Sequence, residues 1–446
     1  MNKRCLALCL AAAGLGVGSA QAMSLFQIYE LSLQNDPVFL AAVKEHEAGL
    51  ENRKIGLAGL LPKLSYSYNG GRNNSKATFL GDATRSSTSE KRNYDSYSSA
   101  LILEQPIFDY EAYSNYRKGV SQALFAEENF RGKSQELLLR VLTSYTQALF
   151  AQDQIDIARA KKKAYDEQFR QNKQLFHQGE GTRTDILEAE SRYDLADAEE
   201  IEAHNEQDVA LRELQSIIGQ SVAVADLAPL RQGFQAFPLE PATFEAWRTL
   251  AVTNNPALTS QQRAVEIAEY EVERNRAGHL PRLSAYASSR QVESESGNTF
   301  NQRYDTNTVG IELNVPLYAG GGVSASVRQA RRIKEQAEYE LEGKTRETLI
   351  ELRRQFNACV TGARKIRAYQ KALTSAEALV VSTRQSILGG ERVNLDELNA
   401  EQQLYNTRRD LAKARYDYLL AWVQLHFEAG TLEEQHLAQV DEVFLR

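Results

Sequence analysis

Six of the nine prolines in this chain of 446 residues fall into three pairs with nearly constant spacing. The pairs are Pro37 with Pro256 and Pro62 with Pro281, each 219 residues apart, and Pro106 with Pro316, 210 residues apart. The other three prolines, Pro229, Pro238 and Pro241, cluster between the two sets. Self-similarity at a fixed period marks an internal duplication. The chain is therefore predicted to fold as two copies of one structural unit joined by a linker.

The residues around these prolines also match between the two copies. The matching segments are Asn35-Asp36-Pro37 with Asn254-Asn255-Pro256, LPKLS at 61–65 with LPRLS at 280–284, and DILEAE at 185–190 with DELNAE at 396–401. Several matches in the same order are not expected by chance. We predict a first repeat at 23–219, a linker at 220–241, a second repeat at 242–430 and a C-terminal segment at 431–446.

The first 22 residues have the three parts of a secretory signal peptide. A basic start at Asn2-Lys3-Arg4 precedes an apolar run at 5–18, and Ala20-Gln21-Ala22 provides a small-x-small cleavage site. Cleavage after Ala22 would leave Cys359 as the only cysteine, which excludes an intrachain disulfide. No later run reaches the roughly 18 apolar residues that a membrane-spanning helix requires.

Long helices account for most of each predicted repeat. In the second long element, apolar residues advance with a mean step of about 3.45, which indicates coiled-coil packing. An Asx residue before proline fits a helix N-cap, so helices are expected to begin near Val38 and Ala257. The helix that begins near Ala257 is predicted to span 257–279. The other predicted helices are 112–178 and 184–218 in the first repeat, and 323–388 and 394–428 in the second. The two longest would each span about 100 Å.

Each repeat also carries one predicted β hairpin, at 62–108 and 281–318. Leu64, Tyr66 and Tyr68 alternate with polar residues, and the segment 309–317 shows the same period of two. Weaker patterns at 97–107 and 283–290 supply the partner strands. The intervening stretches 70–93 and 291–305 are rich in Ser, Asn, Gly and Thr and are expected to be long exposed loops.

Four strands cannot close a barrel by themselves, because the smallest bacterial membrane barrels have about eight. Several chains would have to pool their strands, and three chains would supply twelve. Strands of about 9 to 11 residues and many nearby tyrosines suit a membrane wall with aromatic girdles, although tyrosine also packs ordinary sheets. The predicted fold class is mainly α with a membrane β barrel to which several chains contribute strands.

Two further segments match after the long helices, GEGTRTDILEA at 179–189 and GERVNLDELNA at 390–400. With the Asx-Pro and Leu-Pro-x-Leu motifs, they make the chain after residue 22 resemble the TolC family of outer-membrane exit ducts. The segment 24–37 is most similar to the type I secretion branch. The resemblance implies a homotrimer with a twelve-stranded outer-membrane barrel and a twelve-helix periplasmic tunnel. The linker and the C-terminal segment would form an equatorial band.

The resemblance also implies a function and partners. The duct would passively conduct an unfolded protein, such as an extracellular protease, to the exterior. An inner-membrane ABC transporter and a periplasmic adaptor would recruit it, and outer-membrane lipid would surround its barrel. Two hypotheses compete with this one: an outer-membrane duct of a drug efflux pump, and a periplasmic coiled-coil adaptor, which would need no duplicated strand hairpins.

The turns after the long helices are the expected periplasmic tip. The resemblance implies that Arg392 links to Thr184 and Asp185 as a lock, and that Asp396 forms a ring of charge in the pore. From the residues alone, Asp185 and Asp396 can equally be caps of helix N-termini. The sequence leaves both interpretations open.

Two residues near this tip depart from the family pattern. Ile387 stands where the family has a lock tyrosine, and Asn399 stands where it has a second ring aspartate. A weaker lock and a ring of lower charge are therefore expected. The residues expected to dock the adaptor are Gly179, Glu180, Gly181, Arg183, Gly390 and Glu391.

No pattern in the sequence indicates an active site, a cofactor or a metal. The six histidines, at 46, 177, 204, 279, 426 and 436, lack a ligand spacing such as His-x-x-x-His, and no Gly-rich phosphate loop follows a strand. A formal net charge of −7 without a basic block argues against nucleic acid as a partner. The chain is predicted to be a conduit and not an enzyme.

Overall fold

The computed structural model of the chain describes residues 23–80, 86–231, 233–295, 299 and 301–444. The predicted signal peptide at 1–22 and its cleavage site lie outside the described residues. The chain divides into two compact units. Unit 1 comprises Met1–Leu40, Ser134–Arg248 and Glu351–Arg446, and unit 2 comprises Ala41–Lys133 and Thr249–Ile350.

Helices form most of the described chain, and two pairs of strands interrupt them. The helices are α1 Leu25–Asn35, α2 Pro37–Ala58, α3 Tyr110–Gln178, α4 Arg183–Ile218, α5 Phe244–Asn254, α6 Pro256–Arg276, α7 Gly322–Leu388, α8 Asn394–Glu428 and α9 Glu434–Asp441. The strands are β1 Lys63–Phe79, β2 Thr88–Phe108, β3 Arg282–Glu293 and β4 Arg303–Asn314. Across the described residues, no helix has an 18-residue stretch apolar enough to cross a bilayer.

The long helices lie close to the bounds that the apolar period predicts. The α3 helix starts two residues earlier than expected, and α7 starts one residue earlier. The helix expected at 257–279 ends at Arg276, and Ala277–His279 continue as a 3-10 turn. At 69 and 67 residues, α3 and α7 would each extend about 100 Å along their own axes.

The sequence pattern does not predict α1, α5 and α9. With 11, 11 and 8 residues, they are too short to show a clear apolar period. For α1 a local signal exists, because Ser24 and Gln27 form a capping box in which the Gln27 N–H donates to Ser24 Oγ at 3.2 Å. Both α1 and α5 end before an Asx-Pro pair, because proline disfavours helical geometry in the residue before it.

The Asx-Pro pairs start α2 and α6 one residue earlier than predicted. In the first repeat, buried Asp36 accepts the Phe39 N–H at 3.0 Å and two N–H groups of Arg140 at 3.0 and 3.1 Å. In the second repeat, Asn255 Oδ1 accepts the Ala257 N–H at 2.9 Å. The duplicated cap therefore carries an ion pair only in the first repeat.

The four strands form one antiparallel sheet in the order β1-β2-β3-β4. The loops expected at 70–93 and 291–305 are wrong in extent, because β1 continues to Phe79, β2 starts at Thr88 and β4 starts at Arg303. Cross-strand pairing overrides the weak strand propensity of these polar residues. At the other end β4 stops at Asn314, since Pro316 cannot donate to a strand ladder. Val315 and Leu317 therefore lie outside the strand.

The two faces of this sheet differ in chemistry. Directly paired residues share a face, so Leu64, Leu103, Leu283 and Leu313 belong to one face. We call it the apolar face. Its large exposed side chains are Leu64, Tyr66, Tyr68, Leu101, Leu103, Val309, Ile311 and Leu313. The opposite, polar face holds mainly polar and charged side chains, such as Glu104 and Glu312. Such a sheet has one face suited to lipid and one suited to water.

Small residues spaced seven apart let helices approach closely. In unit 2 these are Ala42, Gly49 and Gly56 on α2, with Ala112, Gly119 and Ala126 on α3. A Cβ added to Gly119 would lie 2.4 Å from the backbone oxygen of Asn52, and one added to Gly56 would lie 2.8 Å from that of Asn115. In unit 1, α4 buries Ala189, Ala196, Ala203 and Ala210 at the same interval. Close backbone packing, and not large apolar side chains, defines these contacts.

Gly119→Ala is expected to lower the free energy of unfolding by about 2–3 kcal/mol, because the added methyl overlaps a backbone atom that cannot move aside. The matched control is Gly343→Ala on α7, where nothing lies within 4 Å of the added Cβ. This change should raise stability by about 0.5–1 kcal/mol through helix propensity. Thermal unfolding monitored by circular dichroism measures the stability of both variants. Equal shifts of the midpoint in both variants would contradict the packing account.

Candidate functional site

The two long helices end in the same backbone geometry. Gly179 and Gly390 have φ of 82° and 77°, a left-handed conformation that glycine adopts without strain. The Glu180 N–H donates to Leu175 O at 3.0 Å, and the Glu391 N–H donates to Ser386 O at 2.9 Å. These 6→1 bonds are Schellman motifs, which end both helices sharply and place two equivalent turns at their ends.

The helices that follow the turns begin at different caps. Thr182 and Asp185 form a capping box, in which the Thr182 N–H and hydroxyl donate to Asp185 Oδ2 at 2.9 and 2.6 Å. In the second repeat, Val393 has no side-chain oxygen, and its N–H donates to Asp396 Oδ2 at 3.4 Å. The Asp185 carboxylate therefore accepts two short hydrogen bonds from Thr182. Among the described residues, the Asp396 carboxylate accepts one long hydrogen bond.

One side chain ties the two turns together within the chain. Buried Asn172 on α3 donates to Asp185 O at 2.9 Å, and its Oδ1 accepts an N–H of Asn394 at 3.0 Å. Farther along, Arg192 on α4 donates to Asn399 Oδ1 at 2.9 Å and also to Gln402. The starts of α4 and α8 are thereby linked across the two repeats.

The predicted lock residues do not meet one another within the described chain. Thr184 is exposed and lines a groove of about 380 Å³ with Leu187 and Leu395. Arg392 is exposed, and none of the hydrogen bonds or ion pairs found between described residues involves its side chain.

The residues predicted to dock an adaptor lie on the two turns. Gly179, Glu180, Arg183, Gly390 and Glu391 are exposed, and Gly181 is half-buried. The turns thus present both signs of charge to solvent.

A buried acidic cluster near the second turn is absent from the sequence-based predictions. Arg384 on α7 donates to Glu397 at 2.7 Å and to Glu401 at 3.4 Å. Both carboxylates are buried, and Glu401 Oε2 has no hydrogen-bond partner among the described residues. Burial raises the pKa of Glu401 to about 7, with Glu397 and Glu167 adding to the rise and Arg384 opposing it. This cluster could be found only from the structure, because its members lie on three helices.

Glu401→Gln is expected to stabilise the protein at pH 8 and to change little at pH 4.5. The folded state holds a proton on Glu401 up to about pH 7, whereas the unfolded chain releases it near 4.5. The stability that this group contributes is therefore present below pH 4.5 and is lost as the pH rises through 7. The expected gain at pH 8 is about 1–3 kcal/mol. Thermal unfolding of the variant and of exposed Glu180→Gln at both pH values tests this; a gain independent of pH would contradict it.

The structure also joins two histidines that show no ligand spacing. The rings of His426 and His436 lie 4.1 Å apart, and His426 is also in contact with Trp422 and Trp247. Burial lowers the pKa of His426 to about 3 and that of His436 below its ordinary value. Both rings are thus neutral packing groups at pH 7. Within the described residues, no group of three or more His, Cys, Asp or Glu side chains could hold a metal ion.

The chain is similar in sequence and in fold to known proteins. The sequence pattern of the outer membrane efflux protein family matches residues 28–220 and 247–431. The chain is 54% identical over 426 residues to the alkaline protease secretion protein AprF of Pseudomonas aeruginosa. The aligned region covers 96% of this chain and 88% of that protein. It is 46% identical to the proteases secretion protein PrtF of Dickeya chrysanthemi, over 95% and 91% of the two chains.

A solved structure shows the same fold. The outer membrane protein VceC of Vibrio cholerae superposes with a TM-score of 0.78 at 16% identity, over 91% of this chain and 96% of that one. At this identity the likeness concerns the fold alone.

Proposed function

Because the chain belongs to the outer membrane efflux protein family, we propose that it is the outer-membrane exit duct of a type I secretion system. The chain is an outer-membrane protein with a TolC-like fold. The observation that carries the secretion role is its 54% identity, over nearly the whole chain, to an alkaline protease secretion protein. The cargo is an unfolded protein, and an extracellular protease is the expected class.

We propose that three copies form the duct. One chain supplies a four-stranded sheet whose outer strands β1 and β4 have no further strand partner among the described residues. Exposed strand edges pair readily, and a closed membrane barrel requires at least about eight strands. Three sheets joined β4 to β1 give twelve strands. Their apolar faces would contact lipid and their polar faces would line the lumen.

The turns of the helical part form the proposed gate. Arg392 is exposed and unpaired within the described part of its own chain. It is therefore available to Thr184 and Asp185 of a neighbouring chain of the trimer. One Asp396 from each copy would form a ring of three carboxylates. Asp185 also caps its own helix, so capping and locking are compatible roles of one side chain.

The same turns are the proposed contact with a periplasmic adaptor and, through it, with an inner-membrane ABC transporter. Glu180, Arg183 and Glu391 present mixed charge, which favours selection of one adaptor by charge complementarity. The duct contributes a path and a gate, and the transporter contributes the energy. We propose no catalytic step and no cofactor for the chain itself.

Comparing the secreted proteins and the antibiotic susceptibility of a deletion strain tests this function. Export of at least one extracellular protease should be abolished and should return when the intact gene is supplied, while drug susceptibility should change little. An unchanged secretome with marked hypersensitivity would favour the efflux role of related ducts. The adaptor hypothesis does not account for the family match or for the four-stranded sheet.

A further inference from the structure

The first hairpin of the sheet is much longer than the second. Pairing of β2 with β3 stops at Tyr97 and Glu293, whereas pairing of β1 with β2 continues to Phe79 and Thr88. Residues 71–79 and 88–96 therefore form a two-stranded ribbon, which we call the projecting ribbon. At about 3.4 Å per residue it extends roughly 30 Å along its strands. It lies at the end of the sheet opposite the strand ends that join α2 and α3.

The charge on this ribbon is segregated by face. The face that carries Leu64, Tyr66 and Tyr68 continues along the strands into the ribbon, where its side chains are polar. The charged ones are Arg72, Lys76, Lys91 and Asp95, and all four are exposed. Arg72 and Asp95 lie 3.9 Å apart and offset each other. The net charge of this face comes from the two lysines.

The two lysines face each other directly. Lys76 and Lys91 are register partners, which places their Cβ atoms about 4.5–5.5 Å apart on one face. Like charges in this arrangement destabilise a sheet. Neither lysine forms an ion pair with a carboxylate of the described chain. On the other face of the ribbon, Arg92 is paired with Glu90 at 2.7 Å. An anion between the two ammonium groups would remove the repulsion.

We propose that Lys76 and Lys91 bind a phosphate group of lipopolysaccharide in the outer leaflet. This inference rests on the proposed function, which places the apolar face against lipid and the ribbon on the exterior side. Lys76 lies eight residues beyond Tyr68 on the same face, about 27 Å along the strand and less along the membrane normal because barrel strands tilt. That height is above the acyl chains, where the phosphorylated sugars of this glycolipid lie. Lysine suits such a ligand because its ammonium is a compact point charge.

The location of the pair favours a lipid-borne phosphate over free phosphate. Both lysine side chains are exposed, so a small ion bound between them would gain few further contacts. A headgroup that is already anchored beside the apolar face would be held at high local concentration. The two ammonium groups then fix the headgroup against the ribbon.

Binding of purified lipopolysaccharide to the detergent-solubilised full chain tests the site. Lys76→Gln/Lys91→Gln should weaken binding about tenfold at low salt. Lys54→Gln/Lys163→Gln removes two exposed charges from the helices and should leave binding unchanged. Enzymatically dephosphorylated lipopolysaccharide should bind the parent protein as weakly as the ribbon variant binds the intact glycolipid. Inorganic phosphate should not displace it.

A second variant separates binding from folding. Lys91→Glu places opposite charges across the strands, so it should fold at least as well as the parent but bind no better than the double variant. Equal affinity of the parent and the double variant, or full displacement by inorganic phosphate, would overturn the assignment. Protease export by the double variant should be retained. Loss of lipopolysaccharide binding with retained export supports the site, and retained binding overturns the site whether or not export continues.

Discussion

Arg392→Ala is expected to raise the conductance of the reconstituted duct severalfold in planar bilayers. Its guanidinium is exposed and has no partner in the described part of its own chain, so the proposed lock joins neighbouring chains. Removing one side of a charged pair weakens a closed arrangement without removing any cap within the chain. The matched control is Arg183→Ala, which deletes an exposed arginine of the first turn and should leave conductance unchanged.

Variants of Asp185 need a second control, because its carboxylate already caps α4. Asp185→Ala should open the channel as Arg392→Ala does, whereas Thr182→Ala breaks the capping box and leaves the carboxylate in place. Loss of the cap alone is expected to cost about 0.5–2 kcal/mol of helix stability. If Thr182→Ala raises conductance as much as Asp185→Ala, the role of Asp185 is capping alone.

Asp396→Asn is expected to remove most of the cation selectivity of the channel. Three like charges in a narrow, partly desolvated constriction focus the potential and attract counter-ions. Asparagine keeps an oxygen that can accept the Val393 N–H, so this variant changes charge more than helix capping. Reversal potentials in a salt gradient measure the effect.

Glu391→Gln provides the comparison for this ring. It removes one exposed charge from the same turn, five residues before Asp396, and should leave the reversal potential close to that of the parent. Equal reversal potentials in the parent and Asp396→Asn would mean that Asp396 is only a helix cap.

Much of the fold follows from local patterns. Repeated prolines and a sustained apolar period predict the long helices, because both signals act over many residues. The polar strand ends at 70–79 and 88–93 could not be predicted, since hydrogen bonding to the neighbouring strand holds them and their composition favours loops. The short helix α1 has a capping residue at Ser24 that the sequence reveals, but it has too few apolar positions to show a helical period.

In the candidate site, the turns could be predicted from the sequence, whereas the side-chain contacts between helices could not. Gly179 and Gly390 predict both turns, because a left-handed residue is needed to end each helix. The bonds of Asn172, Arg192 and Arg384 join side chains from different helices and, in two of the three cases, from different repeats. Such contacts depend on how α3, α4, α7 and α8 pack in unit 1, which no local pattern encodes. Asn399 illustrates this point, since the family resemblance implied only a missing charge there, whereas the structure makes it a hydrogen-bond partner of Arg192.

One chain would be a third of a duct, because its described residues supply four strands whose sheet has two open edges. Native mass spectrometry of the protein, extracted from the outer membrane in mild detergent, measures the number of chains per duct. We expect a particle of three identical chains that forms channels in planar bilayers. A folded, channel-forming particle that contains a single chain would contradict it.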